Sequence, residues 1–399
     1  MNRIAILLIL TGLSFTAASQ IKRQLTKKVT IAVNTNIETY FIAEKLAIEH
    51  IGHYVFSNKE SEFAHQPVVY FARQHFSRWK DTPLIKRIAE ILRQLRDVQH
   101  DNSPQLEYLL YRNEFPKAGF RWPVPKDLPV FNEQAYPGSK TLVLELTDSL
   151  SVFYRKAQVG KYLSDHRTFF HGAIAEARKD INTGVFPYME KWYGQSFAGY
   201  ELYLMPGMPI TEGDDNYRAF GPMLTSPNGS VSAMVFSSSV QLPLEAKLED
   251  YYRFGFDNPG VTRLLTVHEV GHSFVNPQLA KFKHLVLRDS MLFTTKLAKS
   301  LENSYIGNWE ICLTEHLVRL GEIRIAMSMK DEKEANRLRK LHIQESGFIL
   351  LPVLEQLATT YENSRKKYPT FSDFLPVIFN HIHQLQPGDI DALVDQNKR

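Results

Sequence analysis

The sequence predicts an α+β chain, predominantly helical, in which a small sheet lies against one central helix and a helical C-terminal region follows. Three observations carry this. Long stretches repeat apolar residues at helical spacing, beginning with the segment from Ile37 to Ile48 and resuming beyond Leu244. Two short stretches, "YELYLMP" and "SVSAMVFSSS", are rich in residues that suit strands and are bounded by Gly, Pro and Ser. A helix opening at Asn258 and Pro259 comes directly after them.

The elements follow in order. Residues 1–19 pair a short positive start with the apolar run "IAILLILTGLSF" and the small residues "TAAS", as a cleavable export signal does. Cleavage is expected between Ser19 and Gln20, giving a periplasmic or secreted protein with no later stretch apolar enough to span a bilayer. "KVTIAVN" alternates like a strand, and "TPLIKRIAEILRQLRDV" sets Leu84, Ile88, Ile91, Leu92 and Leu95 on one helical stripe. Five prolines between Phe115 and Pro137 interrupt any helix there. A boundary is placed accordingly, with an N-terminal region at 20–137, not necessarily independent, and a main region at 138–399. From Leu142 to Trp192 helical periodicity returns, broken around "NTGVFP".

Composition narrows the class. At 399 residues with 44% hydrophobic and 12% aromatic content, the chain can bury a large core. Its formal charge of +4 becomes +3 without residues 1–19, and no Lys/Arg block of the kind that tracks nucleic acid is present. Cys312 is the only cysteine, so no internal disulfide can form.

The chemistry concentrates in "TVHEVGHSFVNP", Thr266 to Pro277. Asn258 caps and Pro259 opens a helix that Pro277 is expected to end, near Val275. Residues four apart on a helix stand one above the other, so His268 and His272 can meet a single zinc ion, while Glu269, one position round, reaches a water in the ion's open position. A catalytic site needs a third protein ligand. Six residues beyond His272 stands Gln278, so a third histidine at that place fails. In "GNWEICLTEHLVRLGEIRIAM", Glu315 falls between Ile311 and Val318, on an apolar surface where a bound cation would compensate its charge. Glu315 is the leading third ligand. Glu310 and His316 are alternatives, a salt bridge from Glu315 to Arg319 is the plainer reading, and Glu322 can orient a metal-bound histidine from behind.

"HEVGH" and "TEHLVR" resemble the gluzincins, zinc metallopeptidases with two histidines from HExxH and a downstream glutamate. "HEVGHSFVNP" followed by "WEICLTEHLVR" more closely resembles an uncharacterised, peptidase-like family of exported bacterial proteins known as a domain of unknown function. The resemblance implies a zincin-like catalytic core, Zn²⁺ held by His268, His272 and Glu315, Glu269 as general base, and a peptide or protein substrate. Tyr305, Tyr361 and His381 are candidates for the second electrophile, and "SVSAMVFSSS" for the strand edge along which a peptide would lie. "HIH" at 381–383 reads as part of a helix, and Cys312 as packing. No nucleophile elbow, phosphate loop or dinucleotide fingerprint competes. The alternative is a non-catalytic exported binding protein with a structural metal site; the glutamate beside His268 favours catalysis.

Overall fold

The computed structural model describes residues 21–52, 63–99, 102–210, 217–304 and 306–397. The expected export signal lies outside them, as does Tyr305. The fold is α+β and mostly helical, built round one six-stranded mixed sheet. Among the described residues no helix is long and apolar enough to cross a membrane.

The strands are β1 (Lys22–Gln24), β2 (Val29–Ala32), β3 (Gly199–Leu204), β4 (Ala219–Phe220), β5 (Met223–Ser226) and β6 (Gly229–Phe236). β1 is antiparallel to β2, β2 and β6 flank β3 in parallel, and β4 and β5 are both antiparallel to β6. The "KVTIAVN" strand is therefore β2, paired with β3 from the other side of the proline-rich stretch. One hydrophobic core runs through both parts: Ile31, Phe41, Leu202, Phe274 and Leu317 all belong to it. The stripe in "TPLIKRIAEILRQLRDV" becomes the helix Pro83–Gln99, which packs against the buried helix Thr35–Ile51. No α-helix runs between Arg112 and Gly138, as the prolines require.

Two expectations fail here. β6 is an inner strand, not an exposed edge, because β3 takes one side of it and β4 and β5 the other. Its serine side chains do not point to solvent throughout: Ser232 is buried and donates to the Ser273 hydroxyl at 2.9 Å. Nor does Pro277 end its helix, which runs Pro259–Lys281 with the proline inside. The missing N–H costs one helical bond to the Ser273 carbonyl, but continuing the helix buries Leu279 and lets Gln278 reach Gln195 at 2.9 Å. Tertiary packing outweighs the local preference.

The start of that helix is as predicted, with the Asn258 side chain accepting from Val261 N–H. The helix Trp309–Ser328 is capped in the same way by Asn308 and crosses it closely. At the crossing a Cβ on Gly271 would stand 3.1 Å from Val318 Cγ1, and one on Gly321 would fall within the van der Waals shell of the Tyr193 hydroxyl. Gly321→Ala should therefore cost about 1–3 kcal/mol in denaturant titrations despite the better helix former, and Tyr193→Phe in the same chain should recover part of the loss.

Glu38, fully buried in the helix Thr35–Ile51, gives a second test. One carboxylate oxygen accepts Gly207 N–H at 3.1 Å and the other has no partner. Burial pushes its pKa up to about 8, against the opposing effect of that N–H. Between the ordinary carboxylate range and pH 8 the folded chain keeps a proton that the unfolded chain has released, so stability falls as pH rises through this window. Glu38→Gln removes the loss. Its stability relative to the parent should rise by on the order of 4 kcal/mol between pH 5 and pH 9, read by urea unfolding at both.

Candidate metal centre

The two histidines of "HEVGH" emerge from the 259–281 helix toward the 309–328 helix. Their rings lie 5.0 Å apart and nearly perpendicular, and both Nε2 atoms turn to one carboxylate. His268 Nε2 is 3.6 Å from Glu315 Oε2, and His272 Nε2 is 3.5 Å from Glu315 Oε1. One ligand atom from each of the three residues lies within 4.8 Å of the others. Glu315 thus meets the pair, as the sequence suggested.

These separations decide what the cluster fits. At 3.5 to 3.6 Å they are too long for good hydrogen bonds. The edge of a tetrahedron with zinc–ligand bonds of ~2.0–2.1 Å is about 3.4 Å, close to what is found. The far sides of both rings are already engaged. His268 Nδ1 donates to Glu322 Oε1 at 2.7 Å, and His272 Nδ1 to Asn276 Oδ1 at 3.2 Å. In the neutral tautomer these bonds leave each Nε2 unprotonated toward Glu315, the form a cation takes up. The donor set of two imidazoles and a carboxylate fits zinc.

The alternative ligands have other partners. Glu310 is nearly half exposed and lies 3.5 Å from Lys283. His316 is fully buried, with Nδ1 donating to the Cys312 carbonyl at 2.7 Å and Nε2 accepting from Leu350 N–H at 3.3 Å; burial holds its pKa down at about 4. Cys312 is buried too, which pushes its thiol up to about 12. The apolar surface inferred around Glu315 is only half right, since Val318 is buried and Ile311 is 42% exposed.

Arg319 does bond Glu315, as the plainer reading held, through Nη1 on Oε2. The two readings coexist. Burial alone would raise the Glu315 pKa, but Arg319, His268 and His272 together hold it at about 2. Arg319 also lies over the Phe348 ring at 4.0 Å, which fixes the guanidinium. Glu269 is buried, and burial raises its pKa against the pull of the two histidines. Gly221, at the bend between β4 and β5, packs on the Glu269 backbone so tightly that a Cβ there would overlap its carbonyl. The sheet edge beside this residue is therefore β4 and β5. Tyr361 donates to the Trp192 carbonyl at 2.7 Å, and His381 sits on the helix Phe371–Ile382, packed on the helices Val185–Tyr193 and Leu351–Asn363. Neither is brought to the histidine pair.

One residue escaped the sequence. His342, buried in a π-helical turn at Lys340–Glu345, lies with Nε2 2.9 Å from the second Glu322 oxygen. Glu322 thus joins two histidines. Burial would raise its pKa, but His342 and His268 hold it far below the carboxylate range. Nothing in "KLHIQE" marks the role, because the contact spans 20 residues and π turns have no reliable pattern. Glu322→Ala should leave two buried imidazoles without their acceptor and lower unfolding free energy by about 3–5 kcal/mol, measured in denaturant.

The comparisons with known proteins give a family and nothing nearer. The model described as "Domain of unknown function (DUF4932)" matches residues 140–380, more than half of the chain. No curated protein and no solved structure matches.

Proposed function

The chain belongs to the family of the domain of unknown function DUF4932, and we propose that it is an exported zinc-dependent hydrolase, a metallopeptidase of gluzincin-like type. The observation that carries the reading is the convergence of His268 and His272 Nε2 on Glu315 at tetrahedral-edge distances, with Glu269 on the next position of the same helix. His268, His272 and Glu315 hold the ion. Zinc supplies Lewis acidity, polarising a carbonyl and acidifying water toward neutrality.

The remaining work belongs to the chain. Glu269 accepts a proton from the attacking water at its carboxylate and returns it to the leaving amine, a task that suits a carboxylate whose burial raises its affinity for protons. Glu322 holds the Nδ1 proton of His268, so Nε2 stays available as a ligand. Arg319 keeps Glu315 ionised. The substrate is a peptide or protein, and the pairing of helix and small sheet is the layout the zincin reading calls for.

The test is zinc content by elemental analysis after metal exchange. One zinc per chain is expected, lost in Glu315→Ala, kept in Glu310→Ala, and kept in Glu269→Ala. A peptide library cleaved by the parent chain and left intact by Glu269→Ala would establish the reaction. Zinc bound in full, with the library untouched by the parent, would indicate a structural metal instead; no zinc under replete conditions would end the hydrolase reading. Glu322→Gln should weaken zinc by about 10- to 100-fold in chelator competition.

A further inference from the structure

A second concavity lies on the other face of the sheet. Tyr200 is in register with Ser232, whose hydroxyl reaches the 259–281 helix, so Glu201 and Tyr203 project to the opposite side together with Thr30 and Ala32 of β2. A cavity of about 450 Å³ opens there, enough for a small organic ligand.

Its charge is one-sided. Lys22, Arg112, Lys117, Arg121 and Arg167 line it against Glu114 and Glu201, five cations to two acids. That surplus of three compares with +4 for the entire chain. Both acids are engaged. Glu201 accepts from Arg121 at 3.1 and 2.8 Å and from the Tyr203 hydroxyl at 2.6 Å, while Glu114 accepts Thr35 N–H at 2.9 Å. Among the described residues Arg112, Lys117 and Arg167 have no carboxylate partner, and Arg112 Nε is buried without an acceptor. Low-dielectric walls concentrate the field of such a cluster inside the cavity.

The inner wall adds donors. Asn34 is only 3% exposed; its Oδ1 accepts the N–H groups of Asn36 and Ile37, both at 3.1 Å, and its Nδ2 has no acceptor. Tyr154 is 7% exposed, and its hydroxyl is likewise without a partner. Both residues line the cavity, so these donors are open to an acceptor held in it. Here the unmatched groups are donors and cations, with the carboxylates already taken. The complementary ligand is rich in acceptors and negative.

We propose that this cavity binds a small polyanion, a molecule bearing two or more carboxylate or phosphate groups. The guanidinium groups of Arg112 and Arg167 and the ammonium of Lys117 bind the charges, and Asn34 Nδ2 and the Tyr154 hydroxyl bind acceptor oxygens at depth. The site is separate from the histidine pair and does not depend on the hydrolase reading.

Isothermal titration of the full mature chain at low salt tests it with tricarballylate, a tricarboxylate, and fructose 1,6-bisphosphate, a bis-phosphate ester; acetate at matched ionic strength is the control. The expected result is saturable one-to-one binding of at least one polyanion, weakened about tenfold or more by Arg112→Gln and by Arg167→Gln and a few-fold by Tyr154→Phe. Which probe binds tells carboxylate from phosphate. Zinc content and unfolding midpoint, measured on the same samples, should not move. Failure of the parent chain to bind either probe, or undiminished binding by a folded Arg112→Gln/Arg167→Gln variant, would overturn the proposal.

Discussion

The crossing of two helices at Gly271 is the constraint on which the candidate metal centre depends. A side chain at that position would meet Val318 at 3.1 Å, and Gly321 on the other helix makes room for Tyr193. The approach allowed by these two glycines brings a short side chain, Glu315, between His268 and His272. It also brings Glu322, seven residues further on and so two turns along the same face, to the opposite nitrogen of His268. One helix therefore serves both nitrogens of one imidazole. Glycine between the two histidines of "HEVGH" thus has a packing reason beside the chemical pattern around it.

The electrostatics divide into a closed outer layer and an open centre. Glu322 is fully buried and would be costly as a lone anion, but both of its oxygens face histidines at hydrogen-bonding distance. Glu315 has Arg319, itself held over Phe348. Around these, Asn276 fixes the His272 ring and His316 is tied into backbone on both sides. At the centre the Nε2 atoms of His268 and His272 each face a different oxygen of Glu315, at 3.6 and 3.5 Å, slightly too far for a good hydrogen bond. Side chains held from behind in this way, around a centre whose own contacts are long, are the arrangement expected of a preorganised ligand site.

What was legible in the sequence was local. The "HEVGH" spacing, the Asn258 cap and the stripe of the 83–99 helix are all decided within a few turns of chain, and the structure has them. Glu315 was reachable because a carboxylate among apolar neighbours needs a reason, although one of those neighbours, Ile311, proves exposed. What was missed was decided at long range. Pro277 reads as a stop until Leu279 and Gln278 are seen packed beyond it. "SVSAMVFSSS" gives strand character but not its neighbours, and an inner strand differs from an edge strand only in what pairs with it. His342 is invisible for the same reason: its partner is chosen by the fold.

The sheet separates two kinds of site, and the two draw on different parts of the chain. Every residue of the candidate metal centre, from His268 to His342, lies within the family-matched stretch of 140–380. The cavity on the other face takes Tyr154, Arg167 and Glu201 from that stretch, but Asn34, Arg112, Lys117 and Arg121 come from before it. β2 is what joins them, since its pairing with β3 sets Thr30 beside Glu201 and leads straight to Asn34 and the start of the 35–51 helix. Consecutive residues of β3 face opposite ways: the Tyr200 hydroxyl donates to Glu190 on the side of the histidine pair, and Glu201 receives Arg121 on the other. The N-terminal part, for which the sequence offered no chemistry, thus completes the shared core and supplies most of the positive charge of a cavity that the matched stretch alone would leave without its inner wall.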